Sequence, residues 1–136
     1  MPAAAKAKSI SIGGFQDADF EATRKELQPI NPSTEVQTVK VDVSSSASVT
    51  AWISDIISSF GTLDGTVNAA GIARPVGVGE GPAILSGAGE MFKRVMRINL
   101  EGVFYCPREQ IRVMMELPKL RGVLPTLLVS VTSSWR

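Results

Sequence analysis

Histidine is absent from this sequence, and its absence removes several kinds of site at once. Metal sites built on imidazole, serine-histidine nucleophilic systems and histidine general bases are all excluded. The chain has a single cysteine, Cys106, so it cannot form an internal disulfide. A chain of this size without cross-links is typical of a reducing compartment, and we expect a cytoplasmic location.

Long apolar runs and a strong net charge are also lacking. The most apolar stretch, residues 123–131, is broken by Pro125 and Ser130 and is far shorter than the ~18 residues of a membrane span. Residues 1–8 contain no signal-peptide core, and we expect them to be a disordered lead-in. The chain has 14 basic and 13 acidic residues, and the resulting net charge of +1 gives no support for binding nucleic acid or an anionic membrane.

The patterns that are present alternate between strand and helix. Alternating or β-branched stretches predict strands at residues 9–12, 36–43, 65–68 and 127–131. Helical patterns lie between them: one begins near Asp17 or Asp19 and ends before Pro29, and the others are at 49–60 and 90–117. This order predicts an α/β fold with a parallel sheet, and the length of 136 residues fits a single domain, 1–136.

Two of these helices carry finer predictions. The clearest one has apolar residues at helical spacing from Val49 to Phe60, a serine cap within residues 44–46, and Gly61 after its end. The helix at 90–117 contains Pro107, which we expect to kink it or split it in two, because proline removes a backbone donor.

Motifs of a ligand site follow the predicted strands. Residues 67–71, Val-Asn-Ala-Ala-Gly, end the third strand, at the edge where open α/β sheets bind ligands. Asp42 and Val43 end the second strand, and Asn99 lies further along in Ile-Asn-Leu-Glu-Gly-Val-Phe, residues 98–104. Taken in this order, the motifs resemble those of the short-chain dehydrogenase/reductase family, and the resemblance extends over residues 9–134.

The resemblance implies a role for each motif residue. Asp42, with Val43 beside it, would hydrogen-bond the adenine amino group of a nicotinamide cofactor, although an aspartate here could instead cap a helix. Asn68 would brace the central sheet, while Ala69, Ala70 and Gly71 would line the adenine ribose.

Two further residues match catalytic positions of the family. Asn99 would orient a water molecule and pass protons toward the catalytic lysine. In Val-Ser-Val-Thr-Ser, residues 129–133, Ser133 would hold the substrate carbonyl oxygen, and a register slip of one would select Ser134 instead. Ser130 stands where the family has asparagine.

Other family motifs are not found. No Gly-x-x-x-Gly-x-Gly turn precedes Ser9, and the glycines of residues 77–81 follow no strand and include Glu80, which would repel phosphate. No Tyr-x-x-x-Lys is present, because the only tyrosine, Tyr105, is followed four residues later by Glu109. We therefore expect a family member truncated at both ends, with a partial Rossmann-like doubly wound parallel sheet that lacks the first βα unit and the C-terminal strands.

The resemblance also implies a gap in the sheet. The family's first strand lies between the strands that match residues 9–12 and 65–68, so its absence would leave two inner edges with unpaired backbone groups. We expect those edges to pair with each other or another chain to fill the gap. Otherwise the folded chain would be only marginally stable.

Three hypotheses for function follow. The first is an NAD(P)-dependent oxidoreductase that interconverts a small-molecule alcohol and carbonyl compound, impaired or inactive as written. The cofactor would be NADP or NAD, and the absence of a carboxylate at Gly13 and Gly14 favours NADP. The second is a non-catalytic interaction module, or a homo-oligomer, formed through the 90–117 helix. The third is one half of a split enzyme.

Overall fold

The computed structural model describes residues 7–16, 18–73, 89–117 and 126–131. Strands and helices alternate along it, as β1 (Ser9–Gly14), α1 (Ala18–Leu27), β2 (Glu35–Lys40), α2 (Ser46–Phe60), β3 (Gly65–Ala69), α3 (Gly89–Met96), a π-helical segment (Arg97–Glu101), α4 (Gly102–Glu116) and β4 (Thr126–Val131). The predicted partial Rossmann-like α/β fold is confirmed. Within the described ranges, no helix is long and apolar enough to cross a membrane.

The four strands form one parallel sheet in the order β2-β1-β4-β3. Strand β4 therefore lies between β1 and β3, with Leu127 opposite Ile10 on one side and opposite Gly65 on the other. The expected central gap is not there, because the chain's own β4 supplies backbone partners to both inner edges. This pairing satisfies donors and acceptors that a buried sheet cannot leave unpaired.

Strand β1 continues through Gly13 and Gly14, two residues beyond the end predicted from the sequence. A Cβ atom on Gly13 would lie 2.5 Å from the Trp52 ring, so only glycine lets the indole pack against the strand. The Trp52 Nε1–H donates to the Ser11 Oγ at 2.9 Å, and both residues are buried. Gly13 thus permits close packing of α2 on β1 rather than ending the strand.

Helix α2 confirms the predicted amphipathic helix. Ser45 caps its start by accepting a hydrogen bond from the Ser48 N–H, and Gly61 ends it with a left-handed φ of 76°. Its inward face forms the main core together with the second strand's end and α4; the buried apolar members are Val41, Val43, Val49, Trp52, Ile53, Ile56, Leu63, Cys106 and Val113. Burial of each large side chain contributes about 1.5–3 kcal/mol, which fixes α2 on the sheet.

A smaller core lies on the other face of β1. Ile10 and Ile12 pack there with Ala7, and Phe20 and Leu27 of α1 cover them. Ala7 also accepts a hydrogen bond at its carbonyl from the Thr34 hydroxyl at 2.8 Å. Of the predicted lead-in 1–8, residues 1–6 lie outside the described part of the chain.

The last predicted helix is irregular at a different place from the one expected. Helix α4 continues through Pro107, while the π-helical segment Arg97–Glu101 interrupts the helix further upstream. Because Pro107 has no N–H, the Val103 carbonyl lacks its helical hydrogen-bond donor. Val103 is 49% exposed, and the loss of one backbone hydrogen bond costs least at an exposed residue. The prediction of a break at Pro107 is therefore wrong.

Candidate functional site

A cleft of about 570 Å³ lies at the carboxyl ends of β1 and β2. Its sheet side is formed by Phe15, Gln16 and residues 41–44, and its helix side by residues of α3 and the π-helical segment. A volume of this size is typical of small-molecule sites. The cleft contains the predicted adenine-binding residues Asp42 and Val43.

Asp42 is held by the turn that follows β2. Its Oδ1 accepts hydrogen bonds from the Ser44 N–H at 2.9 Å and the Ser44 hydroxyl at 2.7 Å. Ser45, rather than Asp42, caps α2. Asp42 lines the cleft, and among the described residues no hydrogen bond reaches its Oδ2, so the carboxylate is oriented by Ser44 and retains one oxygen that can accept a hydrogen bond from a ligand.

Val43 packs directly against the start of α4. A Cβ on Gly102 would lie 3.0 Å from the Val43 Cγ2 and 3.2 Å from the Val43 carbonyl oxygen. Glycine at 102 therefore allows the helix to touch the backbone of the cleft wall. This contact explains a glycine within the motif of residues 98–104.

Asn68 is joined to α4 by a reciprocal amide pair. The Asn68 Nδ2 donates to the Gln110 Oε1 at 2.9 Å, and the Gln110 Nε2 donates to the Asn68 Oδ1 at 2.9 Å. Gln110 is only 1% exposed, so its amide depends on this partner. The contacts tie β3 to α4.

The Asn99 side chain makes a second connection between the long helix and the residues that follow β3, here called the Asn99 clasp. Its Nδ2 donates to the Ile72 carbonyl at 2.8 Å, and the Ile72 N–H donates to its Oδ1 at 2.8 Å. Ile72 lines the cleft, whereas the three residues before it, Ala69, Ala70 and Gly71, do not. Asn99 thus holds the chain where it leaves β3 against the cleft.

The other sequence-based candidates are either outside the described residues or absent from the cleft lining. Ser133, Ser134 and the glycine segment 77–81 are outside the described residues. Tyr105 donates to Glu101 on its own helix at 3.4 Å and does not line the cleft. Burial raises the pKa of the Cys106 thiol to about 11, which makes it a poor nucleophile at neutral pH.

Sequence reasoning missed several residues of this site. Gln110, Ile72, Arg94 and Arg97 were not singled out. Gln110 lies eleven residues, three helical turns, after Asn99. A comparison of helix faces would therefore have placed Gln110 on the same side of the helix as Asn99, the side that contacts β3 and the residues after it. Within the described ranges, no group of three or more acidic or cysteine side chains could hold a metal ion.

Known proteins share this architecture. Residues 12–130 match the family model described as enoyl-(acyl carrier protein) reductase. The chanoclavine-I dehydrogenase of Aspergillus fumigatus is 48% identical over 109 residues, which cover 80% of this chain and 42% of that protein. The chanoclavine-I dehydrogenase of Penicillium roqueforti is 38% identical over 112 residues, covering 82% of this chain and 43% of its own. The chain thus spans less than half the length of these curated relatives.

A solved structure agrees with the sequence comparisons. The 3-oxoacyl-[acyl-carrier protein] reductase from Brucella melitensis superposes with a TM-score of 0.73 at 25% identity, covering 96% of this chain and 49% of that one. Its oxidoreductase fold has the same mixed arrangement of parallel strands and helices. The motifs that end β2 and β3, the family match and these relatives lead to one conclusion: the chain belongs to the short-chain dehydrogenase/reductase family of oxidoreductases.

Proposed function

We propose that this chain forms the adenosine-binding part of an NAD(P)-dependent oxidoreductase that interconverts an alcohol and a carbonyl compound. The observation that supports it most strongly is the cleft at the ends of β1 and β2, where Asp42 keeps its Oδ2 available. The cofactor would supply hydride transfer at its nicotinamide ring. A second structure of a 3-oxoacyl-[acyl-carrier protein] reductase from Brucella melitensis, 23% identical to this chain, was solved in complex with NAD.

The residues of the cleft fit an adenosine group. The Asp42 Oδ2 can accept a hydrogen bond from an exocyclic amino group, and Val43 and Ile98 offer apolar sides to a flat ring. Ile72, held in place by Asn99, closes the same cleft. In this proposal Asp42 and Val43 bind adenine, and Ala69, Ala70 and Gly71 lie toward the ribose.

Asn99 acts first as a positioning residue in this proposal. Both polar ends of its side chain are bonded to the Ile72 backbone, so the side chain fixes the position of a residue that lines the cleft. Ser133 is proposed to bind the substrate carbonyl oxygen. The 136 residues by themselves contain no Tyr-x-x-x-Lys, so we expect nucleotide binding with turnover that is impaired or absent.

The relatives suggest a class of substrate. Their names identify chanoclavine-I as the substrate of a dehydrogenase, so we propose a small-molecule alcohol of related chemistry here. The unpaired Cys106 supports a cytoplasmic location.

Calorimetric titration with NADPH and NADH tests the proposal. We expect binding by the wild-type chain and about tenfold or more weaker binding by Asp42→Asn, because the amide presents a donor in place of an acceptor. Asp64→Asn is the matched control, since Asp64 is exposed and outside the cleft. A folded wild-type chain that binds neither nucleotide would refute the proposal.

The exposed face of the α3–α4 helix supports homo-oligomer formation as a second candidate function. Large apolar side chains follow one stripe along it: Phe92 (66% exposed), Met96, Leu100, Val103, Phe104, Ile111 and Met115 (80% exposed). Residues 89–97 carry three basic side chains and one acidic one, whereas Glu101, Glu109 and Glu116 outnumber the two arginines of residues 101–116. An antiparallel second copy would bring these unlike halves together.

Sedimentation equilibrium tests the oligomer. Leu100→Lys would place a charge in the centre of the stripe, and we expect it to convert an oligomer to a monomer. Lys25→Glu on α1, which is exposed and remote from the stripe, is the control. A wild-type chain that stays monomeric at high concentration would contradict this second role.

A further inference from the structure

The backbone of Asp42 is held on both sides of its Cα atom. Its N–H donates a hydrogen bond to the Ser48 Oγ at 3.1 Å, and its carbonyl accepts one from the Ser45 N–H at 3.0 Å. The two serines are themselves joined, because the Ser48 N–H donates to the Ser45 Oγ at 3.3 Å. The main chain at Asp42 is therefore tied to the start of α2 by two hydrogen bonds.

The Asp42 side chain is held at one of its two oxygens. The Oδ1 atom accepts hydrogen bonds from the Ser44 N–H and the Ser44 hydroxyl. With the backbone and Oδ1 both held, the carboxylate has little freedom to rotate, and the direction of Oδ2 is set by the surrounding serines. In the part of the chain that the structure describes, Oδ2 is the one polar atom of Asp42 without a hydrogen bond.

Ser48 differs from the other two serines because its hydroxyl acts only on Asp42. Ser44 lines the cleft and can contact a ligand directly, whereas Ser48 is not part of the cleft lining. Ser45 has a separate task, since its side chain caps α2. Among the described residues, the partly buried Ser48 Oγ takes part in no hydrogen bond other than the one from the Asp42 N–H. Any effect of this hydroxyl on a ligand must therefore pass through Asp42.

The orientation of the Asp42 carboxylate bears on which purine the cleft accepts. An ionised carboxylate accepts hydrogen bonds and donates none. A purine with an amino group at position 6 presents a donor to Oδ2, whereas a purine with a 6-oxo group presents a second acceptor and is repelled. A carboxylate that is held in place cannot turn away from the mismatched group, so a firmly held Asp42 discriminates more strongly than a mobile one.

We infer that Ser48 is a positioning residue for purine selection: by accepting the Asp42 N–H it fixes the carboxylate, so that Oδ2 selects a 6-amino purine nucleotide over its 6-oxo counterpart. This inference rests on the proposed nucleotide function. It gives a role in ligand selectivity to a side chain of α2 that lies outside the cleft lining.

Calorimetric titration of the full 136-residue chain with matched nucleotide pairs tests the inference. The pairs are NADH and NADPH, each with its deamino analogue, in which hypoxanthine replaces adenine. The variants are Ser48→Ala, which removes the acceptor, Ser48→Thr, which keeps it, and Asp42→Asn. Ser58→Ala is the matched control, because Ser58 is exposed on the same helix and loses a hydrogen bond of 2.9 Å to the Ser54 carbonyl. Thermal midpoints confirm that each variant is folded.

We expect wild type to bind at least one adenine dinucleotide about tenfold or more tightly than its deamino analogue. Ser48→Ala should lower this ratio about threefold or more, whereas Ser48→Thr and Ser58→Ala should change it less than about twofold. In a chain that already carries Asp42→Asn, adding Ser48→Ala should leave the ratio unchanged, because the hydroxyl acts through the carboxylate.

A wild-type ratio in Ser48→Ala would overturn the inference. Equal weakening of both members of a pair would also overturn it, because that is the result for a serine that only stabilises the fold. If Ser48→Ala does not fold, Ser48→Cys replaces it, since sulfur is a weaker acceptor, and a ratio equal to that of wild type again counts against the inference.

Failure of the inference is distinguishable from failure of the proposed function. Equal binding of the adenine and deamino forms by wild type would overturn the selection of a 6-amino purine while leaving nucleotide binding intact. A folded wild-type chain that binds none of the nucleotides would refute the proposed function and the inference together.

Discussion

Asn99 holds the backbone of Ile72 through two hydrogen bonds of 2.8 Å, one donated by its side-chain amide and one accepted by it. The two residues are 27 positions apart in the chain. Ile72 is also part of the cleft wall. The clasp therefore connects the irregular segment of the long helix to the shape of the candidate cofactor site.

Asn99→Asp should loosen this clasp. A carboxylate cannot donate to the Ile72 carbonyl and repels it, so we expect a loss of about 1–3 kcal/mol in stability and weaker nucleotide binding. Hydrogen exchange at the Ile72 amide should accelerate. Asn31→Asp, in the turn after α1, is the control for a general effect of added charge. Unchanged exchange at Ile72 would show that the clasp is not formed in solution.

The amides of Asn68 and Gln110 should depend on each other. Asn68→Ala and Gln110→Ala each leave a partner unsatisfied, and the double variant removes both groups. We expect a coupling free energy of about 1–2 kcal/mol in a double-mutant cycle measured by urea unfolding. Additive losses in the two single variants would contradict the amide pair.

Gly13→Ala should be strongly destabilising. Its new Cβ would lie 2.5 Å from the Trp52 ring, and overpacking of this kind costs about 1–3 kcal/mol or more. Gly89→Ala is the matched control, because a Cβ there meets no atom of the described residues within 4 Å. We expect the control to keep or slightly raise the thermal midpoint. Equal midpoints for both variants would argue against packing of Trp52 on Gly13.

Cys106 should react slowly with thiol reagents. Burial raises its pKa to about 11 from 9.0, so the folded chain keeps the thiol protonated where an unfolded one ionises. The corresponding stability is complete below pH 9 and is lost as the pH rises from about 9 to 11. Alkylation rates measured across this range, with and without urea, test this. A native rate equal to the unfolded rate at pH 8 would contradict burial of the thiol.

Strand β4 should be essential to the sheet. It pairs with β1 and β3 on its two sides, and proline at position 129 would remove a backbone donor from a central strand. We expect Val129→Pro to cost about 3 kcal/mol or more and to expose amides of both β1 and β3 to exchange. If the amides of neither β1 nor β3 exchanged faster in this variant, the pairing of β4 with these two strands would be contradicted.

Local patterns in the sequence predicted a large part of this fold. Helix α2 follows from the spacing of its apolar residues, with Ser45 and Gly61 at its ends, because each of these signals acts within a few residues. Of the residues that the motifs predicted for the cofactor, Asp42 and Val43 line the cleft, whereas Asn68, Ala69, Ala70 and Gly71 do not.

Long-range choices could not be predicted in the same way. The position of β4 between β1 and β3 depends on pairing between distant strands, for which the motif order contains no signal. The glycine at position 13 looked like a strand end, because its partner Trp52 lies 39 residues away in the chain. Arg94 and Arg97 could not be singled out from the sequence, because only the fold shows that they line the same cleft as Asp42.

Mapping of amide chemical shifts during an NADPH titration tests the central claim most directly. The account predicts saturable shifts at Asp42, Val43, Ile72 and Arg97, with small shifts at Asp64 and on the outer face of α1. Shifts confined to residues outside the cleft, or none at millimolar nucleotide in a folded chain, would contradict it.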